Sequence, residues 1–138
     1  MTDSATLVRE VMTTDPAVIS PDQTLERAWA MMTDEGYRHL PVVEGGQLVG
    51  VLTITDIGRL GATVPSLMAR SVGEWMTKTP ITVKPDEPIE SAAAQMGIHK
   101  VNCLPVVAGG KLVGIVTTYD LLDALARQLG PRSLRSGQ

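Results

Sequence analysis

Two short stretches carry the residue types that could hold a ligand. Residues 50–56 (GVLTITD) and 114–120 (GIVTTYD) place glycine, threonine and aspartate at the same spacing. In each, a β-prone run reaches Thr53 or Thr117, and Asp56 or Asp120 follows three residues on, where a helix can open. Two kinds of chemistry fit these atoms. A threonine with an acid three residues later approximates a capping box, which satisfies the orphan N–H groups of a helix start, and an acid in the first turn suits the helix dipole. The same groups could instead meet a nucleoside phosphate. Free N–H groups at a helix start attract phosphate, the threonine hydroxyl can add a hydrogen bond, and a carboxylate can accept both hydroxyls of a ribose. Gly50 and Gly114, lacking side chains, would let a ring approach the strand closely. Gly, Thr and Asp kept at the same places in both copies read as a nucleoside-shaped site made twice, although caps would also survive duplication.

The elements around these stretches are themselves written twice. Residues 40–56 read LPVVEGGQLVGVLTITD and residues 104–120 read LPVVAGGKLVGIVTTYD, 64 positions apart. The register holds without a gap from Val8/Val72 to Asp56/Asp120, which marks a tandem repeat of one supersecondary unit. Leu7, Val8, Val11 and Met12 predict a short helical stub, matched by Val72, Trp75 and Met76. Ala17-Val18-Ile19 and Ile81-Thr82-Val83 are short apolar runs suited to strands. Leu25, Ala28, Trp29 and Met32 lie on one helical face, and Ile89, Ala92, Ala93 and Met96 repeat it. Pro88 fits a first helical turn; Gly36 can stop the first helix, where the second copy has Lys100. Gly45-Gly46 and Gly109-Gly110 predict tight hairpins. A short helix to about Leu60 follows the first hairpin, and a longer one, with Leu121, Leu122, Leu125 and Leu129, runs to Gly130-Pro131 after the second.

The organisation expected is an α+β chain: repeat 1 over 7–60, a linker at 61–71, repeat 2 over 72–129 and a flexible tail at 130–138. Each repeat reads β-α-β-β-α after its stub, and residues 1–6 are expected to fray. With 138 residues, two units of this size are expected to share a core, because each alone would be marginal. A net charge of −3 argues against a bulk grip on nucleic acid or an anionic membrane. Cys103 is the single cysteine, so no internal disulfide can form. Neither a signal peptide nor an apolar run of membrane-spanning length is visible, and a cytoplasmic protein is expected.

The pattern resembles the CBS domain, and the tandem resembles a CBS pair, or Bateman module. The resemblance covers about residues 7–126. It rests on the stub ending in V-M-T, the Pro-Asp before an A-x-x-M helix, the L-P-V-V strand, the L-V-G strand and T-x-x-D, all in order. It implies two repeats related by a pseudo-twofold axis, sheets facing each other, with clefts that take AMP, ADP, ATP, S-adenosylmethionine or related dinucleotides. By resemblance, Asp56 and Asp120 match the ribose-binding acid, and Thr53 and Thr117 the hydroxyl near ribose and phosphate. Ala17, Val18, Ile19, Ile81, Thr82 and Val83 match the segments lining the adenine slot. A homodimer is also implied.

The copies differ before the shared Leu-Pro. Repeat 1 has Arg38-His39 and repeat 2 has Asn102-Cys103. In the family a basic residue here often faces phosphate, and arginine suits the task through its planar fork. The two clefts should therefore differ in affinity, with Lys78 or Lys100 as other sources of charge. Arg38 also fits an ordinary solvated charge. His39 fits an edge histidine or a pH-dependent phosphate contact. Cys103 fits a small core residue, and a nucleophile paired with His99 has no further support. Trp29 and Trp75 fit core or a dimer interface. No metal cluster, carboxylate dyad or P-loop is visible, so no enzyme activity and no obligatory cofactor are expected. A ligand-sensing regulatory module acting on an unnamed partner protein is the leading expectation. A dimeric scaffold with one or both clefts empty is the alternative.

Overall fold

A computed structural model of the chain describes residues 6–136, without the side chains of 60–63, 65 and 129–136. The fraying expected at the N-terminus falls, apart from Thr6, outside the described residues. So do residues 137–138 and the side chains of Leu60, Leu129, Arg132 and Arg135.

The elements follow the repeat. Helix α1 (Val8–Val11) and strand β1 (Thr13–Thr14) form the first stub. Helix α2 (Leu25–Glu35), strands β2 (His39–Glu44) and β3 (Gln47–Thr53) and helix α3 (Ile54–Thr63) complete the first copy. A 3-10 turn (Pro65–Ala69) leads to α4 (Val72–Trp75) and β4 (Thr77–Lys78). The second copy continues with α5 (Ile89–His99), β5 (Cys103–Ala108), β6 (Lys111–Thr117) and α6 (Thr118–Ser136). The expected stops and turns hold: Gly36 caps α2 in the left-handed region at φ 80°, and Lys100 adopts φ 56° at the end of α5. Gly45 and Gly46 supply the positive φ of the β2–β3 turn.

The chain divides into two compact units, and they do not follow the repeat boundaries. One unit contains the chain through Thr14, Ile81–Ala108 and the residues from Val113 on; the other contains Asp15–Pro80 and Gly109–Leu112. Each stub has been handed to the other copy. In the first unit β1 pairs antiparallel with β6, Thr13 opposite Ile115 and Thr14 opposite Gly114, in a sheet ordered β1-β6-β5. In the second, β4 pairs with β3, Lys78 opposite Gly50 and Thr77 opposite Val51, in a sheet ordered β2-β3-β4. The anchoring bonds match residue for residue. Val8 N donates to Glu87 O at 2.8 Å and Arg9 N to Pro85 O at 2.9 Å; Val72 N donates to Gln23 O at 2.7 Å and Gly73 N to Pro21 O at 2.9 Å.

Burial explains why the stubs stay there. Val8 is fully buried with Ala92, Leu104 and Val116, and Val72 with Leu25, Leu40 and Leu52. Burying a valine side chain is worth about 1.5–3 kcal/mol. Those contacts, with two backbone bonds to each stub, favour a two-residue strand that would not pair alone. The helical stripes of α2 and α5 also enter these cores, except that Ala93 is exposed.

Three expectations are corrected. Ala17–Ile19 and Ile81–Val83 are not strands: Ile19 makes a single parallel bridge to Val42 and Val83 one to Val106. The region expected as a linker is partly helical, since α3 runs to Thr63 and the 3-10 turn follows. The region expected as a flexible tail from 130 on is helical to Ser136, because α6 passes through Gly130–Pro131 instead of stopping there.

Candidate functional site

Each T-x-x-D stretch lies where a hairpin strand turns directly into a helix. β3 ends at Thr53 and α3 begins at Ile54; β6 ends at Thr117 and α6 begins at Thr118. The junction is held from the neighbouring strand, with Ile54 N donating to Arg38 O and Thr118 N to Asn102 O, both at 2.9 Å. In both copies the capping reading is realised on one side, as Asp56 N donates to Thr53 Oγ1 at 3.3 Å and Asp120 N to Thr117 Oγ1 at 3.2 Å.

The carboxylates then part company. Thr117 N donates to Asp120 Oδ2 at 2.9 Å, so the capping box of repeat 2 is closed and Asp120 is half-buried. Asp56 is exposed, and among the described residues its carboxylate accepts no hydrogen bond. Thr118 adds a further tie in repeat 2, its hydroxyl donating to Asn102 O at 3.3 Å.

In the second unit Arg38 and His39 lie at this end, while Ile19 is bridged to Val42 further along β2. His39 lies opposite Thr53 across the β2–β3 ladder, and Arg38 precedes it. Arg38 is exposed and has no ion-pair partner among the described residues. Burial, and then the neighbouring Arg38 charge, hold the His39 imidazole below its ordinary range, so it is neutral at pH 7. Ile19 is tied to β2, its N donating to Pro41 O at 3.1 Å and its O accepting from Val43 N at 2.9 Å. Ile19 is therefore core, while Ala17 is half-buried and Val18 exposed. Lys78 also lies in this unit, opposite Gly50.

In the first unit Val83 is likewise core, bonded to Pro105 and Val107, while Ile81 is half-buried and Thr82 exposed. Asn102 and the buried Cys103 stand where repeat 1 has Arg38 and His39. Burial pushes the Cys103 thiol up to about 12. His99 is exposed at the end of α5, and a thiol so shielded is no nucleophile at neutral pH. Asp120 opens a groove of about 270 Å³ between α1 and α6, lined also by Glu10, Asp123, Arg127 and Gln128.

The two strand glycines serve a different purpose from the one expected. A Cβ at Gly50 would lie 2.5 Å from Met76 Sδ and 2.8 Å from Thr77 O; one at Gly114 would lie 2.6 Å from Met12 Sδ and 2.8 Å from Thr13 O. The space over each glycine is filled by the exchanged stub, not held open for a ring. The doubled V-M-T was the signal that could have shown this, since its methionine recurs in step with the glycine. Among the described residues no group of His, Cys, Asp and Glu could hold a metal ion, and no helix is long and apolar enough to cross a membrane.

The CBS domain family model matches residues 8–60 and 72–127. The CBS domain-containing protein YhcV of Bacillus subtilis is 36% identical over 121 residues, which cover 83% of this chain and 81% of YhcV. Homoserine O-acetyltransferase of Methanococcoides burtonii is 38% identical over 118 residues, and the chain spans only 23% of that enzyme's length. Among solved structures, the CBS domain pair of protein MJ0100, in complex with 5′-methylthioadenosine and S-adenosyl-L-methionine, superposes with a TM-score of 0.80 at 28% identity, covering 91% of this chain and 99% of the other. CBSX2 of Arabidopsis thaliana in complex with AMP gives the same TM-score, identity and coverage.

Proposed function

Since this chain belongs to the CBS-domain family, we propose that it is a regulatory module that senses adenosine-type ligands, AMP, ADP, ATP or S-adenosylmethionine, and acts on a partner protein. The observation that carries the reading is the open end of repeat 1. There the exposed Asp56, whose carboxylate accepts no hydrogen bond among the described residues, and the Thr53 hydroxyl stand at a strand-to-helix junction that is tied by Ile54 N to the carbonyl of the exposed Arg38. A carboxylate suits a ribose diol, and an arginine fork beside a helix start suits phosphate. Ala17 and Val18, with Ile81 and Thr82, keep enough exposure to meet a base. AMP bound by one structural relative, and S-adenosylmethionine by another, support the same ligand class. No catalytic role is assigned to the chain itself, and it is expected to act as a homodimer.

A second reading, an interaction scaffold with vacant ligand sites, is favoured by the closed capping box of Asp120 and by exposed Ile98, Leu122 and Leu125 on α5 and α6. A thermal-unfolding panel on nucleotide-stripped protein separates the two. A ligand at about a hundred times its dissociation constant stabilises by about 2.7 kcal/mol. The sensor predicts a rise of several degrees with at least one of AMP, ADP, ATP and S-adenosylmethionine, lost in the Asp56→Ala/Asp120→Ala double variant. A flat panel would support the scaffold.

A further inference from the structure

Each exchanged stub is seated on its strand by one methionine. Met12 follows α1 and Met76 follows α4, each with its N donating back to the first residue of the helix, Val8 O or Val72 O, at 2.9 Å. The side chain lies over the glycine of the receiving strand. Its sulfur takes the place of a Cβ, 2.6 Å from that position at Gly114 for Met12 and 2.5 Å at Gly50 for Met76. Both methionines pack on the core of the receiving unit, Met12 on that of Val8, Leu104 and Val116, and Met76 on that of Leu40, Leu52 and Val72. Both stay half-buried, whereas Met32 and Met96 are only 1% and 7% exposed. The polar atom beside each seat is a carbonyl oxygen, since Thr13 O and Thr77 O lie 2.8 Å from the same Cβ positions. Neither can donate a hydrogen bond.

We propose that Met12 and Met76 are paired oxidation sites, at which a peroxide releases the exchanged stubs. The sulfur lone pair takes one peroxide oxygen, the O–O bond breaks, and the other oxygen leaves as water. The thioether loses two electrons and the peroxide gains them. The product is a sulfoxide, a polar group that disrupts apolar packing and that a reductase can convert back. Its oxygen only accepts hydrogen bonds, and the seat offers it apolar side chains and another acceptor. A buried acceptor left unsatisfied costs free energy, and the sulfur already fills the space over each glycine. Lifting the stub relieves both. Loss of β1 or β4 then turns β6 or β3 into a sheet edge with unpaired backbone groups. Those are the strands that end at Thr117 and Thr53, so oxidation acts on the elements that carry both T-x-x-D junctions. This reading stands whether or not the junctions hold a ligand.

The test is a hydrogen peroxide titration of the full chain, read by mass spectrometry for sulfoxide and by hydrogen exchange, on wild type, Met12→Leu and Met76→Leu. Leucine keeps the volume of methionine and forms no sulfoxide. In wild type Met12 and Met76 should oxidise before the buried Met32 and Met96. The amides of Val8, Arg9, Val72 and Gly73, which anchor the stubs, should then exchange about tenfold faster, the factor that losing the packing of one buried side chain produces. Met76→Leu should keep Val72 and Gly73 protected while Val8 and Arg9 still respond, and Met12→Leu should show the converse, so each variant contains its own control. Methionine sulfoxide reductase should restore protection to oxidised wild type, an arm that needs no variant to fold. Sulfoxide at both positions with unchanged exchange, a leucine variant whose own stub still loosens, or oxidation confined to the half-buried Met31 and Met68 overturns the inference. So does protection that the reductase fails to restore.

Discussion

The junctions at Asp56 and at Asp120 are copies in sequence and different objects in structure. Both helix starts are capped by a threonine hydroxyl, yet only Asp120 returns the favour by accepting from Thr117 N. A carboxylate committed to its own helix is partly withdrawn from ligand chemistry, while an exposed and unengaged one is available to it. The lesson is that one T-x-x-D sequence can cap a helix with or without committing its carboxylate. The surroundings differ as well: repeat 1 has the exposed Arg38 and the neutral His39 beside its junction, and repeat 2 has Asn102 and the buried Cys103.

The largest effect should come from a feature the two regions share. Gly50→Ala and Gly114→Ala would each drive a Cβ against a stub carbonyl at 2.8 Å, a backbone atom with little room to yield. Overpacking of this kind costs about 1–3 kcal/mol, so both variants should lower the urea midpoint by similar amounts. Hydrogen exchange should show the loosened stub as β1 for Gly114→Ala and as β4 for Gly50→Ala. Fraying of each stub against its own repeat would break the exchange described for the two units.

A smaller effect sharpens the contrast itself. Asp120→Ala removes an acceptor from a closed capping box and should destabilise by about 1 kcal/mol, whereas Asp56→Ala should stay within about 0.5 kcal/mol. Equal losses on denaturant titration would mean that the two carboxylates do the same structural work.

The smallest effect is in pH, and the two units should respond at opposite ends. His39 is held below its ordinary value, so the unfolded chain binds a proton near pH 6.5 that the folded one refuses. Its stability term is present above that pH and lost as pH falls below it. Cys103, at the matching place, is raised to about 12, so its term is present below the ordinary thiol range and lost as pH climbs toward that value. Hydrogen exchange should show β2 loosening on the acid side and β5 on the alkaline side; acid loosening that persists in His39→Gln would remove His39 as its cause.

Much of this was legible in the sequence, because spacing encodes it. The i, i+3, i+7 stripe of Leu25, Ala28 and Met32, the glycine pair at 45–46 and the cap glycine at 36 each act locally, and the structure has them where the pattern puts them. The stub exchange was legible only in part: the Met-Thr of the stub recurs in step with the strand glycine, but strands of two exposed residues, Thr13–Thr14 and Thr77–Lys78, carry no pattern that says which sheet receives them. Ala17–Ile19 is ambiguous in sequence, because three apolar residues can serve one bridge and a core contact as well as a ladder. Gly50 and Gly114 were ambiguous because a missing side chain makes room equally for a ligand or for another segment of chain. The unequal commitment of Asp56 and Asp120 depends on a carboxylate rotamer, which residue identity does not specify.

The central claim is that the Asp56 end is an open ribose and phosphate site. The most direct measurement is a crystal structure of nucleotide-stripped protein soaked with AMP. The account predicts ribose oxygens at about 2.5–2.7 Å from the Asp56 carboxylate, as charge-assisted O–H···O⁻ bonds require, with phosphate directed to Arg38 and the α3 start. AMP bound with its ribose away from an Asp56 that remains unengaged would contradict it.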